Sequence, residues 1–267
     1  MPLRKISSIL FLLTFISPLS AHEFWLNPHK FIYKSGEPVT IRFLAGENFE
    51  GENWSGNNER IRSLKLYFSG VNDDLSKFIT GAFGDSIEYI MVDEGTNLIA
   101  YHGNNSFVEL DPSKFNAYLE EDGLLNAIEF RKQHNEMGCN GREFYQRCAK
   151  ALIQVGETKN KTYSIPTTLP VDIIPLSNPY LLKNKEPFRV KILYKKSPLA
   201  NTLIKVWHRR KDKTEKEELT SDSNGEISFP VTTNGKWMIS TVKMERLNDN
   251  PLADWQSYRG SLTWGYE

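Results

Sequence analysis

Five histidines and two cysteines carry the metal and redox chemistry open to this 267-residue chain: His22, His29, His102, His134, His208, Cys139 and Cys148. His22 is the most informative because of what precedes it. Arg4 and Lys5 form a positive start, Ile6 to Leu19 a short apolar run broken near Pro18, and Ser20-Ala21 a small-residue cleavage site. That is the pattern of a secretory leader that is removed on export. Cleavage after Ala21 makes His22 the first residue, where its imidazole and a free α-amine form a bidentate chelate. Cleavage before Ala21 makes it the second, and amine, backbone nitrogen and imidazole then suit the tetragonal preference of Ni²⁺ or Cu²⁺. In both registers a histidine stands at the mouth of the chain.

The remaining histidines differ in their prospects. His102 ends an expected strand just before Gly103-Asn104-Asn105, where a side chain can reach outward, and is the best-placed partner for His22. His134 stands near a helix end, where an imidazolium complements the dipole. His208 follows Trp207 in an alternating run and faces solvent or a cross-strand neighbour. His29 sits in a polar turn after Pro28. Cys139 and Cys148 are an even pair in an exported chain and a disulfide candidate closing a small loop. His22-Glu23 begins like a zinc-protease motif but has Leu26 where the second histidine must stand, and there is no Gly-rich phosphate cradle or nucleophile elbow. No recognised catalytic motif remains.

The elements that must position these residues read mostly as strands. Pro38 to Leu44 and Ile61 to Ser69 alternate; Ile87 to Val92, Thr96 to His102 and Ser106 to Leu110 are shorter runs split by glycines. Helix signals cluster in one place. Asp111-Pro112 is an N-cap followed by proline at the first helical position, and Phe115, Tyr118 and Leu119 recur at helical spacing. Gly123 interrupts, and a second short helix continues towards Gly138. Past the polar stretch Gly156 to Lys161, four prolines at 166, 170, 175 and 179 mark a boundary or crossover. From Pro187 onward, short strands alternate with turns such as Asp222-Ser223-Asn224-Gly225, the rhythm of an antiparallel sandwich, with Trp207 and Trp237 as expected core residues. The mixed-sign run Arg209 to Glu218 is expected to be a solvated hairpin tip. The expected organisation is therefore a leader over residues 1–21, an N-terminal β-rich, sandwich-like domain over 22–165 with a helical insertion at about 111–137, and a C-terminal immunoglobulin-like antiparallel sandwich over 166–267. The fold class is mainly β.

Charge narrows the partners. The chain has 33 basic and 33 acidic residues; loss of Arg4 and Lys5 with the leader leaves 31 against 33. That near-neutral balance excludes a generic nucleic-acid footprint. No second apolar run has membrane length, so no membrane span is expected after cleavage.

Several segments together resemble one family. They are HEFWLNP (22–28), GEPVTIRF (36–43), SFVELDPSKFNAYLEEDGL (106–124), REFYQRCAKALIQVG (142–156), PLSNPY (175–180), DSNGEISFP (222–230) and ADWQSYRGSLTW (253–264). The chain resembles an exported bacterial family of unknown function, domain-of-unknown-function family 4198, described as periplasmic components of cobalt or nickel transport and similar to the nickel-uptake subunit NikM. The resemblance implies a periplasmic location, a divalent metal ion, nickel or cobalt, as the bound group, a metal-uptake permease as partner, and His22 as a ligand; the amine and imidazole donors add Cu as a candidate. Family members often carry a histidine in the segment matching STVKM, where this chain has Lys243, a poor ligand at neutral pH. Three readings stand: a metal-binding or delivery protein, a copper oxidoreductase with a histidine brace, and a structural or adhesive module without metal.

Overall fold

The computed structural model describes residues 23–54, 58–80 and 85–267; the expected leader and His22 lie outside the described residues. Ten strands form the largest sheet among the described residues. Its order is β16 (Lys213–Thr220), β15 (Leu203–Arg210), β18 (Lys236–Arg246), β19 (Trp255–Gly265), β11 (Gly141–Val155), β9 (Gly95–Gly103), β5 (Ile61–Phe68) and β6 (Val71–Asp74), with β10 (Ser106–Leu110) and β2 (Ile32–Tyr33) also paired to β11. From Cys148 to Val155 every residue of β11 is buried. A strand alternates its side chains between two faces, so a run buried throughout must be covered on both.

Two smaller sheets supply that cover. On one face lies a five-stranded sheet in the order β1 (Glu23–Pro28), β3 (Glu37–Glu47), β8 (Ser86–Met91), β7 (Ile79–Thr80), with β4 (Glu50–Asn53) paired to β3. Its Leu26, Val39, Ile41, Phe43 and Ile87 pack with Ala149, Ala151, Ile153 and Val155 of β11. On the other face, β12 (Val171–Pro175), β13 (Glu186–Tyr194), β14 (Ser197–Pro198) and β17 (Glu226–Val231) form a four-stranded sheet. Its Ile173, Phe188, Val190, Ile192 and Phe229 pack with Cys148, Leu152, Ile239, Leu262 and Trp264. The mainly β, sandwich-type expectation holds, with the large sheet as a shared middle layer.

The helical insertion forms as its cap and periodicity predict. α1 (Pro112–Glu121) starts at Asp111, whose Oδ1 accepts a hydrogen bond from the Lys114 N–H at 3.0 Å. Gly123, at φ +62°, turns the chain into α2 (Leu125–Gln133). Phe115, Tyr118, Leu119, Leu124 and Ile128 pack against Val242, Met244 and Trp255. These belong to β18 and β19 on the face that β1 also covers, so the insertion and the five-stranded sheet share that face. No helix among the described residues is long and apolar enough to cross a membrane.

Two expectations need correction. The boundary near residue 165 does not separate the sheets. β19 pairs in parallel with β11 from Glu143↔Trp255 to Ala151↔Thr263, so strands from both expected domains share the middle layer. Lys150 on β11 also reaches across the layers to Asp172, at 2.6 Å, and to the Ile173 carbonyl, at 2.8 Å. A strand pattern reports periodicity but not which strand lies beside which, so the crossover prolines could not reveal this pairing. The cysteines are also unpaired: Cys139 is exposed and Cys148 buried. The extended segment from Gly141 to Cys148, rising about 3.3 Å per residue, covers more than about 20 Å, whereas a disulfide needs Cα atoms within about 7 Å. Trp207 is displaced as well. It leaves the sandwich core that holds Trp237 and packs on the opposite face with Trp25, Phe49 and Met238.

Denatured, unreduced protein should titrate two thiols. In the native state a thiol reagent should modify Cys139 alone, since burial pushes the Cys148 thiol up to about 12; protection of both, released by reductant, would contradict the geometry. The fragment 166–267 alone should lack a cooperative thermal transition, because it exposes the β19 edge and leaves Asp172 without Lys150. A sharp melt in calorimetry would show that β11 is dispensable.

Candidate functional site

Glu23, the first described residue, sits where three units meet. β1 pairs with β3 from Glu23↔Gly46 to Pro28↔Ile41. Phe24 and Leu26 turn into the core beneath the five-stranded sheet, while Trp25 packs with Trp207 and Met238. Glu23 is left at the seam between β1, the large sheet and the C-terminal end of α1. A cavity of about 20 Å³ lies there, lined by Glu23, Asp122, Lys205, Thr241, Arg259 and Ser261 among others. That is room for about one water-sized species.

Its walls are charged and deeply placed. The Lys205 ammonium lies 2.6 Å from Asp122 Oδ1 and 3.6 Å from a Glu23 carboxylate oxygen. Asp122 Oδ2 is buried with no hydrogen-bond partner among the described residues. Beside it, Glu143 is fully buried, and its Oε1 accepts from Tyr118 Oη at 3.2 Å, from Arg259 at 3.2 Å and from Ser257 Oγ. Glu143 Oε2 and Arg259 Nε have no such partner. Arg147 stacks over Phe24 and Trp54, its guanidinium carbon 4.9 and 4.7 Å from the ring centres. Burial pushes the Glu23 carboxyl up to about 7; Lys205 opposes that and Asp122 adds to it. Burial pushes the Lys205 ammonium down, but Asp122 and Glu23 more than offset it, so its pKa is raised. The pocket can therefore hold a proton on Glu23 near neutrality while one carboxylate oxygen of Asp122 stays free for a further cation or donor.

Among the described residues, the histidines nominated from the sequence stand apart from one another and from Glu23. His22 lies outside the described residues, one peptide bond from Glu23. His102 is buried, and its Nε2 is 2.9 Å from Gln146 Oε1. Tyr101, its neighbour, packs under the five-stranded sheet, so alternation puts His102 on the face opposite β1. Burial lowers its pKa. His208 stacks on its cross-strand neighbour Trp237 at 4.0 Å. His134 caps α2 and stacks on Phe130 at 3.9 Å. His29 is exposed just beyond the far end of β1, about 20 Å from Glu23 along an extended strand. Among the described residues no group of three or more His, Cys, Asp or Glu side chains is arranged to hold a metal.

Asp122, Lys205 and Arg259 escaped sequence reasoning, which looked for histidines. One signal was present: Lys205 interrupts Leu203 to Trp207, a run with bulky apolar residues at both parities. A charge in a strand apolar on both faces must be buried and paired. Glu23 offers a direct check. Its raised pKa means that between about pH 4.5 and 7 the folded state holds a proton the unfolded state has lost, so stability falls as pH rises through that window. Glu23→Gln removes this loss. The variant should gain on the parent by on the order of 3 kcal/mol between these limits, measured as paired denaturant melts of metal-free protein. A constant difference across pH would show that Glu23 ionises normally.

Comparisons place the chain. No curated protein matches it. Among solved structures, a mutant of Salmonella alpha-2-macroglobulin is 12% identical with a TM-score of 0.22, over 92% of this chain and 15% of the other. The chicken CNTN1 FN1–FN3 domains are 9% identical with a TM-score of 0.21, over 92% of this chain and 69% of theirs. The three N-terminal domains of the highly immunogenic outer capsid protein of bacteriophage RB49 are 6% identical with a TM-score of 0.20, over 91% and 59%. This chain thus spans about 15% of the macroglobulin, and scores this low carry no functional argument. The family comparison is specific. One family model matches residues 19–245, from before β1 to the penultimate residue of β18, and the chain belongs to that family, described as Domain of unknown function (DUF4198).

Proposed function

We propose that this protein is exported to the periplasm and binds a divalent transition metal, nickel, cobalt or copper, at the start of β1, in the service of metal uptake through a permease. The observation that carries this reading is the seam cavity at Glu23, the residue after His22 in the sequence, with Asp122 Oδ2, unpartnered among the described residues, in its wall. Its fit to a metal is specific but incomplete. The cavity has room for about one ion, and Asp122 Oδ2 and Glu23 offer oxygen donors. Lys205 already holds Oδ1, so the described residues alone supply too few donors. The nitrogen donors would come from His22, its imidazole and, after cleavage at Ala21, its amine. A bound metal would act there as cargo held by mixed nitrogen and oxygen ligands. Imidazole and amine donors favour Ni²⁺ and Cu²⁺ over Mg²⁺ or Ca²⁺.

The histidine-brace alternative gains no support, since a brace needs a second imidazole beside residue 22. His102 and His208 lie on the other face of the large sheet, His29 lies beyond the far end of β1, and His134 is held at the end of α2 against Phe130, its Nδ1 2.8 Å from the Phe130 carbonyl.

The test uses exported protein whose first residue has been sequenced, titrated calorimetrically with Ni²⁺ and Cu²⁺. His22→Ala should weaken binding more than about tenfold, the loss expected for a ligand of the metal. Asp122→Asn should weaken it less, and His102→Ala should leave it unchanged. Affinity should fall as pH drops through about 6.5, where the imidazole takes a proton. Equal binding by parent and His22→Ala would overturn the site at the start of β1, and absence of binding by the parent would overturn the reading in favour of a module that works without metal.

A further inference from the structure

The far end of β1 opens into a second, larger cavity of about 270 Å³, whose lining includes His29, Lys30, Arg209, Lys211, Lys236 and Glu267. Its cations are unevenly paired. Lys30 is paired with Glu37, and Arg209 with Glu50. Glu267 is exposed and brings both its side chain and its main-chain carboxyl end to the lining: Oε1 accepts the Gly235 N–H at 3.1 Å and the main-chain oxygen accepts the Phe31 N–H at 2.6 Å. Lys236 has no carboxylate partner among the described residues. Its Nζ donates to Asn27 Oδ1 at 2.9 Å and rests 4.8 Å from the centre of the Phe49 ring. Lys211, exposed at the β15–β16 turn, likewise makes no ion pair among the described residues. The fold thus holds a half-buried ammonium next to a guanidinium, with an amide oxygen and an aromatic face as its neighbours. Burial, and then Arg209, push the Lys236 ammonium down to about 8, the sign of a cation lacking its counter-charge.

We propose that this cavity is a binding site for a small oxyanion, a carboxylate or phosphate, held between Lys236 and Arg209 with Lys211 at the rim. Three features favour that class. Ammonium and guanidinium donors converge on one space, and charge-assisted bonds to oxyanions are the strong ones. The volume is below the range of drug-sized ligands and suits a small ion with its remaining waters. Lys236 and Arg209 start and end neighbouring strands, paired at Arg209↔Lys236, so their spacing is fixed before a ligand arrives. The site is at the opposite end of β1 from Glu23 and does not depend on metal binding there.

The test has two parts, both on the full folded chain at constant ionic strength. In the first, inorganic phosphate, acetate and citrate are titrated separately into parent protein and into Lys236→Met, which keeps the packing over Phe49. At least one anion should bind the parent, and the variant should lose about tenfold in affinity, the scale of one charge-assisted contact; the anion that binds identifies the source. In the second, Lys236 acetylation by a limiting reagent is followed by mass spectrometry in the parent alone, which keeps the test valid if the variant misfolds. The binding anion should protect Lys236 about fivefold or more relative to chloride and leave the exposed Lys185 unaffected. Absence of heat and of protection with all three anions, or equal binding by parent and Lys236→Met, would overturn the proposal.

Discussion

The rest of the structure depends on one strand that has no solvent face. β11 is buried without interruption from Cys148 to Val155, and it can be so only because separate sheets cover both its sides. Its parallel pairing with β19 brings the last strand of the chain against the middle of the N-terminal half. Lys150, fully buried, then fixes how the four-stranded sheet docks, through Asp172 and the Ile173 carbonyl. An ion pair at that depth adds little net stability when complete, but loss of one partner leaves a bare charge and costs about 3–5 kcal/mol. The pair therefore acts as a register pin between layers.

The face that carries β1 is shared between two unlike covers, and polar chemistry collects where they meet. A sheet edge and a helix end cannot interdigitate as closely as two flat layers, so the seam retains space. Glu23, Asp122, Glu143, Lys205 and Arg259 fill its surroundings, and several of their polar atoms find no partner among the described residues. Buried polar atoms are normally paired, so this concentration of exceptions is hard to explain by packing alone. A proton on Glu23 near neutral pH eases the crowding of three carboxylates around two cations.

β1 links two environments of opposite character. Its start lies among carboxylates, and its end opens beside Lys236 and Arg209. Between these ends Trp25, Phe49, Trp207 and Met238 form a dry cluster. A separation of this kind lets each end hold its own charge with little direct coupling, since the intervening material is apolar and the strand is rigid.

The sequence by itself determined the mainly β class, the helical insertion with its Asp111 cap and Gly123 break, and the turn at Asp222-Ser223-Asn224-Gly225. Asp222 Oδ1 there accepts the Asn224 and Glu226 N–H groups, each at 2.8 Å. These are local features: caps, turn residues and two-residue or helical periods act within a few positions of chain. The alternating strands β3 and β13 were legible for the same reason, having one buried and one wetter face. β11 was not legible as a strand, because burial on both faces erases the alternation that marks one. The cysteines and the domain boundary were misread through that gap, since an unseen extended segment separates the two thiols and joins the two halves. The candidate site was not legible: the leader pattern singles out His22, which lies outside the described residues, and nothing local marks the partnership of Glu23, Asp122 and Lys205. Residues about 80 and 100 positions apart become neighbours only through strand order and layer packing, and those are set by the summed burial of all three sheets.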